Sequence, residues 1–311
     1  MNSHECAALL REQDNILLLT HRRPDGDTLG SAAALCHALR RIGKTAHMYP
    51  NPQITENYIK FMEPYLAPEG FEPSYVVAVD TADTGLFPEG FNGSVDLCID
   101  HHPTNAYYAA KNFIRPEAAS CGELVLQIIK ALCGGLDEEE ANLTYIAVST
   151  DTGCFCYGNT TSDTHRAAAE LIDYGANNKY LNKAIFRTFS AARLALEGMI
   201  YTGMTMHRDG KVAIAIVTLD MMEKAGANEN DCEDIASLPG KIKGVEVSIT
   251  IREMPTGPCK VSVRTTGTLD AARLCARFGG GGHAMAAGCN LDCTPQEAKE
   301  ILLKAIDEEW K

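Results

Sequence analysis

At 311 residues the chain exceeds what one hydrophobic core usually serves, so two domains are expected; its apolar share of 45% is that of a globular protein, and no apolar run reaches the roughly 18 residues of a membrane span. A formal net charge of -13 excludes the basic surface with which proteins coat long nucleic acid, and leaves open a small anionic substrate held by local cations or metals. The charged N-terminus MNSHECAALLREQDN is unlike a signal peptide, so the expectation is a cytoplasmic protein with no membrane partner, whose 12 cysteines are mainly free thiols.

NILLLT (15–20) reads as a buried strand, and HRRPDGD follows at once, setting His21, Asp25 and Asp27 around Pro24 and Gly26. TLGSAAALCHALRRIG reads as a helix with Leu29, Ala32, Ala33, Cys36 and Leu39 on one face and Gly43 as terminator. YVVAVD (75–80) and VDLCID (95–100) are short apolar strands ending in Asp80 and Asp100. SCGELVLQIIKAL opens with a capping box, Ser120 with Glu123, and EEEANLTYIAVSTD is a helix reaching Asp151. This alternation predicts an α/β fold: an open parallel sheet flanked by helices, with ligands beyond the carboxyl ends of its strands. Residues 178–204 carry a helical pattern without proline and read as a connector. VAIAIV, VEVSITIRE and CKVSVRT then alternate like strands, with helices near 220–226 and 269–278 and a last helix over TPQEAKEILLKAIDEEW, where Thr294, Pro295 and Glu297 occupy N-cap, N1 and N3. The expected organisation is a domain over 1–184, a helical linker over 185–205 and a smaller α/β domain over 206–311.

Several strand ends carry chemistry together. Besides His21, Asp25 and Asp27 there are Asp80, the run Asp100-His101-His102, and Asp151. One acidic residue at such a place is usually a cap or a turn former, but this many would gather on one edge of the sheet. Carboxylates a few ångströms apart cannot all stay ionised without a cation, and two cations fit the count better than one. Oxygen and imidazole donors without thiolate suit Mn2+, with Mg2+, Co2+ or Zn2+ as alternatives. Neither Cys154 with Cys156 nor Cys289 with Cys293 belongs to a zinc-binding spacing. The cluster FGGGGHAMAAGC is either a flexible loop or a place where Gly279 to Gly282 let backbone amides approach a phosphate or base, with Arg264 and His283 adding charge. Phe155 is open to a core role or to stacking on a base, whereas His4, His37, His47, His165 and His207 read as surface or helix residues.

HRRPDGD, VDTADTG, IDHHPTN and STDTGCF resemble, in order and spacing, the four motifs of the DHH phosphoesterases, and VSVRTTG with FGGGGHAMAAG resembles their associated C-terminal substrate domain. The resemblance spans nearly the whole chain. Its compact length is most similar to the branch of nano-RNases and pAp phosphatases, beside a branch that hydrolyses cyclic dinucleotides, and is short for a RecJ-like exonuclease. The resemblance implies that His21, Asp25 and Asp80 hold one metal and that Asp27, Asp80, His101 and Asp151 hold the other, with Asp80 bridging. It implies that His102 faces the scissile phosphate, that Asp100 orients a histidine, and that Arg264, Gly280, Gly281, Gly282 and His283 bind substrate, in a cleft between the domains. The implied activity is two-metal hydrolysis of very short oligonucleotides such as pApA or pGpG, and of pAp. A cyclic dinucleotide phosphodiesterase, an inorganic pyrophosphatase or an inactive nucleotide-binding module are the alternatives, and a homodimer stays open. The pair Arg22-Arg23 departs from the commoner pattern before Pro24 and has no assigned role.

Overall fold

A computed structural model describes residues 1–232 and 234–310, and the chain divides into two units, Met1–Thr188 and Phe189–Lys311. No helix among the described residues is long and apolar enough to cross a membrane.

The first unit runs α1 (Ser3–Arg11), β1 (Ile16–Leu19), α2 (Gly26–Arg41), β2 (Ala46–Met48), α3 (Glu56–Met62), β3 (Tyr75–Val79), β4 (Leu97–Asp100), β5 (Lys111–Ile114), α4 (Cys121–Cys133), α5 (Glu138–Asp151), α6 (Ser162–Asp173) and α7 (Asn178–Phe186). Its strands form one sheet in the order β2-β1-β3-β4-β5, parallel at every junction. Both central strands, ILLL and YVVAV, are buried along their whole length, as a sheet covered on two faces requires. Ile16, Leu18, Val77 and Ile99 face a core built with α1, α2, α4 and α5. Leu17, Leu19, Val76 and Ala78 face the other way, where Tyr49, Phe71, Phe87 and Tyr108 from loops close the sheet. From β1 the chain passes to β2 on one side and then to β3 on the other. The strand order therefore reverses between β1 and β3, the place where open α/β sheets leave a crevice for ligands.

The segment 178–204 is two helices, not one. Arg187 ends α7, and α8 (Ala191–Gly203) begins afresh with Ser190 as N-cap, its hydroxyl accepting from Arg193 N at 2.8 Å. Leu196 and Ile200 of α8 are buried with Ala215, Val217 and Leu238, so this helix is part of the second unit's core. The rest of that unit is β6 (Thr205–His207), β7 (Val212–Val217), α9 (Leu219–Ala225), β8 (Val247–Arg252), β9 (Cys259–Thr265), α10 (Ala271–Ala276), β10 (Gly281–His283), β11 (Ala286–Leu291) and α11 (Pro295–Glu309). Its sheet has the order β10-β11-β9-β8-β7-β6 and is mixed, with only β7 and β8 parallel. The capping box of Thr294 and Glu297 forms as expected, with Pro295 in the first turn.

The capping box expected at α4 does not form. Ser120 makes no side-chain cap bond and its hydroxyl is buried without a partner. The Cys121 and Gly122 amides donate instead to the Asp27 carboxylate, at 2.7 and 3.0 Å. An anionic acceptor at a helix N-terminus outcompetes a hydroxyl, because it meets both the unsatisfied amides and the helix dipole.

Close contact between α2 and α5 sets the distance between Asp27 and Asp151. A Cβ on Gly30 would lie 2.5 Å from the Leu143 carbonyl oxygen and 2.8 Å from Ala147 N, both backbone atoms that cannot turn aside. Gly30→Ala is therefore expected to push the helices apart, to cost about 1–3 kcal/mol of stability, and to weaken metal binding at the helix ends. Thermal denaturation with metal titration checks this; an unchanged melting temperature and unchanged metal affinity would remove the contact from the account.

Candidate active site

Loops after β1, β3 and β4 and the end of α5 bring the acidic and imidazole residues together. His21 lies two residues beyond β1, and Asp25 is the N-cap of α2, accepting from the amides of Asp27 and Thr28 at 3.0 and 3.2 Å. Asp25 is thus a helix cap as well as a candidate ligand. Asp80 follows β3 with φ +55, a left-handed conformation that Asp tolerates better than most residues, and its amide donates to the Ile99 carbonyl at 2.8 Å. Asp100 ends β4, His101 and His102 follow it, and Asp151 ends α5.

All six expected ligands converge. His21 Nε2 is 3.7 Å from Asp25 Oδ1 and 3.8 Å from Asp80 Oδ2. His101 Nε2 is 3.4 Å from Asp80 Oδ1, 3.7 Å from Asp27 Oδ2 and 3.7 Å from Asp151 Oδ2. Donor atoms of His21, Asp25 and Asp80 lie within 4.8 Å of one another, as do those of Asp27, His101 and Asp151. Asp80 sits between the two groups with one oxygen toward each. It is 3% exposed, and its Oδ1 is buried with no hydrogen-bond partner. A buried, unpaired carboxylate oxygen surrounded by further acids is costly unless a cation completes it, so the donor set fits divalent metal.

The electrostatics carry the same conflict. Burial, then the charges of Asp80 and Asp151, raises Asp27 well above the usual carboxylate range. Burial likewise raises Asp80, and it brings Asp151 to about 6. Burial acts to lower His21 and His101, but Asp25 and Asp80 outweigh it for His21, which rises to about 9, and Asp80, Asp27 and Asp151 outweigh it for His101, which rises to about 10.

His102 borders the ligand groups as well: its donor atom lies within 4.8 Å of those of Asp80 and His101, with Nδ1 3.5 Å from Asp80 Oδ1. Its Nδ1 is 2.8 Å from Asp100 Oδ1, which also accepts from the His101 amide at 2.8 Å. Asp100 is fully buried, and its Oδ2 accepts from Asn105 Nδ2 at 2.6 Å. Asn105, itself buried, takes the Tyr107 amide on its Oδ1 at 2.7 Å. Asn105 is the residue that sequence reasoning missed, although it stands within IDHHPTN; a polar side chain inside a metal motif was its only signal.

Phe155 stacks on His165, ring centroids 5.6 Å apart at 27°, and packs against the main core, so its side chain is engaged within the protein. His37 contacts Tyr65 and Asp137, each at 3.1 Å, near Glu140, whose carboxylate is held by Arg41 at 2.9 and 2.7 Å. Arg41 also lies 3.9 Å from Asp137, so both carboxylates of that cluster have a cationic partner.

In the second unit, Arg264 lies on β9 and is exposed, paired in register with Ala286 and Ser248. His283 ends the edge strand β10 and is exposed. Gly280 and Gly282 are required by packing: a Cβ would come within 2.5 Å of Cys289 Cβ at Gly280 and of the Ala286 carbonyl oxygen at Gly282, where φ is +143. At Gly281 the space is open.

Residues 15–148 match the DHH family, N-terminal domain, and residues 209–311 match the DHHA1 domain. The chain is 34% identical to the bifunctional oligoribonuclease and PAP phosphatase NrnA of Thermus thermophilus, over 94% of this chain and 90% of that protein. The chain belongs to the DHH phosphoesterase family. The Bacillus subtilis protein of the same description is 26% identical over 89% of this chain and 90% of its own. The cyclic-di-AMP phosphodiesterase PdeA of Listeria monocytogenes is 26% identical over 97% of this chain, which spans 49% of that protein. Among solved structures, an exopolyphosphatase-related protein from Bacteroides fragilis superposes with a TM-score of 0.89 at 25% identity, covering 98% of this chain and 95% of that one.

Asp80→Asn should abolish tight binding of a second metal equivalent. In metal-free protein at neutral pH it should leave the melting temperature equal to or above wild type, because it removes a buried carboxylate whose ionised form the fold disfavours. Elemental analysis and a thermal melt read both effects; full metal content in the variant would contradict the bridging placement.

Proposed function

We propose that the chain is a divalent-metal-dependent phosphoesterase that hydrolyses very short oligoribonucleotides and the 3′-phosphate of nucleotides such as pAp. The observation that carries this is the buried Asp80 carboxylate, whose Oδ1 accepts no hydrogen bond, between two groups of candidate ligand donors. The similarity to NrnA of Thermus thermophilus supports the substrate class. His21, Asp25 and Asp80 would hold one cation, and Asp27, Asp80, His101 and Asp151 the other, with Mn2+ suited to the oxygen and imidazole donors. Bound there, the pair would activate water for attack and offset charge on the phosphorus.

The remaining work falls to this chain's own side chains. Asp100 takes His102 Nδ1–H, which fixes the ring and leaves Nε2 for the substrate. Burial opposes charge on His102, but Asp100 and Asp80 outweigh it and raise its pKa, so Nε2–H is available to a phosphate oxygen. As the water oxygen bonds to phosphorus, the bond to the leaving oxygen breaks and His102 supplies that oxygen with a proton. Arg264 and His283, exposed in the second unit, would be the nucleotide-binding side chains.

A second reading, hydrolysis of cyclic dinucleotides, is favoured by the match to PdeA over 97% of this chain. A panel of pApA, pGpG, pAp and cyclic di-AMP with manganese-loaded enzyme separates the two. The linear substrates should give the higher kcat/KM, and activity on the cyclic dinucleotide alone would reverse the order.

Two outcomes follow. His102→Ala should keep its metal but lose about 100- to 10,000-fold in kcat, whereas His101→Ala should lose a metal equivalent; the opposite pattern in metal analysis would exchange their roles. In a length series of end-labelled oligoribonucleotides under single-turnover conditions, efficiency should fall steeply beyond a few nucleotides, because a chain of net charge -13 offers a long strand no extended basic track. Equal efficiency on a dinucleotide and on a strand of roughly twenty nucleotides would show a backbone-tracking groove instead.

A further inference from the structure

We infer that Arg22 and Arg23 form a subsite for a second, non-scissile phosphate of the substrate. The subsite rests on the proposed phosphoesterase activity and adds a specificity to it: preference for nucleotides that carry a phosphate besides the one attacked.

The two arginines follow His21 directly, on a loop whose backbone is braced at each step. Asn51 Nδ2 donates to the His21 carbonyl at 3.1 Å, and His21 Nδ1 lies 2.8 Å from the Arg22 carbonyl oxygen. The Arg22 amide donates to the Leu86 carbonyl at 2.6 Å, and the Arg23 amide to Gln53 Oε1 at 2.9 Å. Arg23 adopts φ +52, a left-handed conformation that disfavours a residue with a long side chain and that tends to persist where function requires it. Yet both side chains are exposed, and neither guanidinium meets a carboxylate or carbonyl of another residue among the described residues.

That freedom is unusual in this unit. Arg11 is held by the carbonyls of Ala131 and Leu132, Arg40 by those of Ala46 and Pro64, and Arg115 by that of Met1. Arg41 is held by Glu140 and Arg166 by Asp163. Arg187 is the other exception, at the end of α7. Had Arg22 and Arg23 served to balance the acids of the site, they would pair with them; Asp25 is two residues from Arg23 and is approached by His21 instead.

The chemistry of the ligand follows. A guanidinium presents a planar fork of donors that matches phosphate oxygens. A phosphomonoester carries nearly two negative charges, and in a chain of net charge -13 it needs cations placed locally to hold it. The scissile phosphate has the metal ligands and His102. A further phosphate on the same nucleotide, or on its neighbour, has Arg22 and Arg23.

The experiment compares wild type with the Arg22→Ala/Arg23→Ala double variant on substrates matched except for that phosphate: pApA against ApA, and pAp against adenosine 3′-phosphate. Wild type should prefer the phosphorylated member of each pair, and the double variant should lose about 10- to 100-fold of that preference, mainly through KM. A preference ratio unchanged in the variant overturns the subsite, whether both substrates slow together or neither does. Calorimetric binding of adenosine 5′-phosphate and of adenosine by the manganese-loaded protein supplies a readout without turnover, since adenosine 5′-phosphate is what pAp becomes when it loses its 3′-phosphate and keeps the non-scissile one. If wild type hydrolysed none of these substrates yet bound adenosine 5′-phosphate through the two arginines, the phosphoesterase proposal would fail and the subsite would stand. Equal binding of adenosine 5′-phosphate by both proteins would sink the subsite by itself.

Discussion

A carboxylate buried between two groups of acids and imidazoles cannot remain ionised unless positive charge enters with it. Asp80 is in that position: one oxygen toward His21 and Asp25, the other toward His101, with no hydrogen-bond donor for its inner oxygen. The fold repeatedly serves this one residue. β3 delivers it at the point where strand order reverses, and its amide is tied to the end of β4, which carries Asp100, His101 and His102. Strand pairing and the placement of these candidate ligands are the same event.

Asp27 shows how structural and chemical roles share an atom. Its carboxylate caps α4 through two amides, accepts from Ser31 at 3.1 Å, and still lies 3.7 Å from His101. Helix caps of this kind stabilise by about 1 kcal/mol, so the acid is held rigidly before any metal arrives. Asp25 does the same for α2. Preorganised donors lose little freedom on binding, which is what a site assembled from separate loops would otherwise lack.

Much of this was legible in the sequence, because metal ligation demands particular side chains at strand ends and the strands announce themselves as short apolar runs. His21, Asp25, Asp27, Asp80, His101 and Asp151 all lie where their motifs put them. Interactions between residues far apart in the chain were not legible. Ser120 and Glu123 present a local capping signal that Asp27, 93 residues away from Ser120 in sequence, overrides by long-range contact. The break between α7 and α8 carries neither Pro nor Gly, only Ser190 as a new cap, so periodicity ran through it. Asn105 matters because of where β4 and the following loop place it, not because of its neighbours in sequence. The glycine cluster divides by the space around it: Gly280 and Gly282 are demanded by the hairpin, whereas Gly279, at φ +71, and Gly281 have no close neighbours.

Anomalous diffraction at the manganese edge, from crystals grown with Mn2+, tests the central claim most directly. Two peaks about 3.5–4 Å apart are expected, one among His21, Asp25 and Asp80 and one among Asp27, Asp80, His101 and Asp151, with Asp80 touching both. A single peak, or two peaks that leave Asp80 without a metal contact, would contradict it.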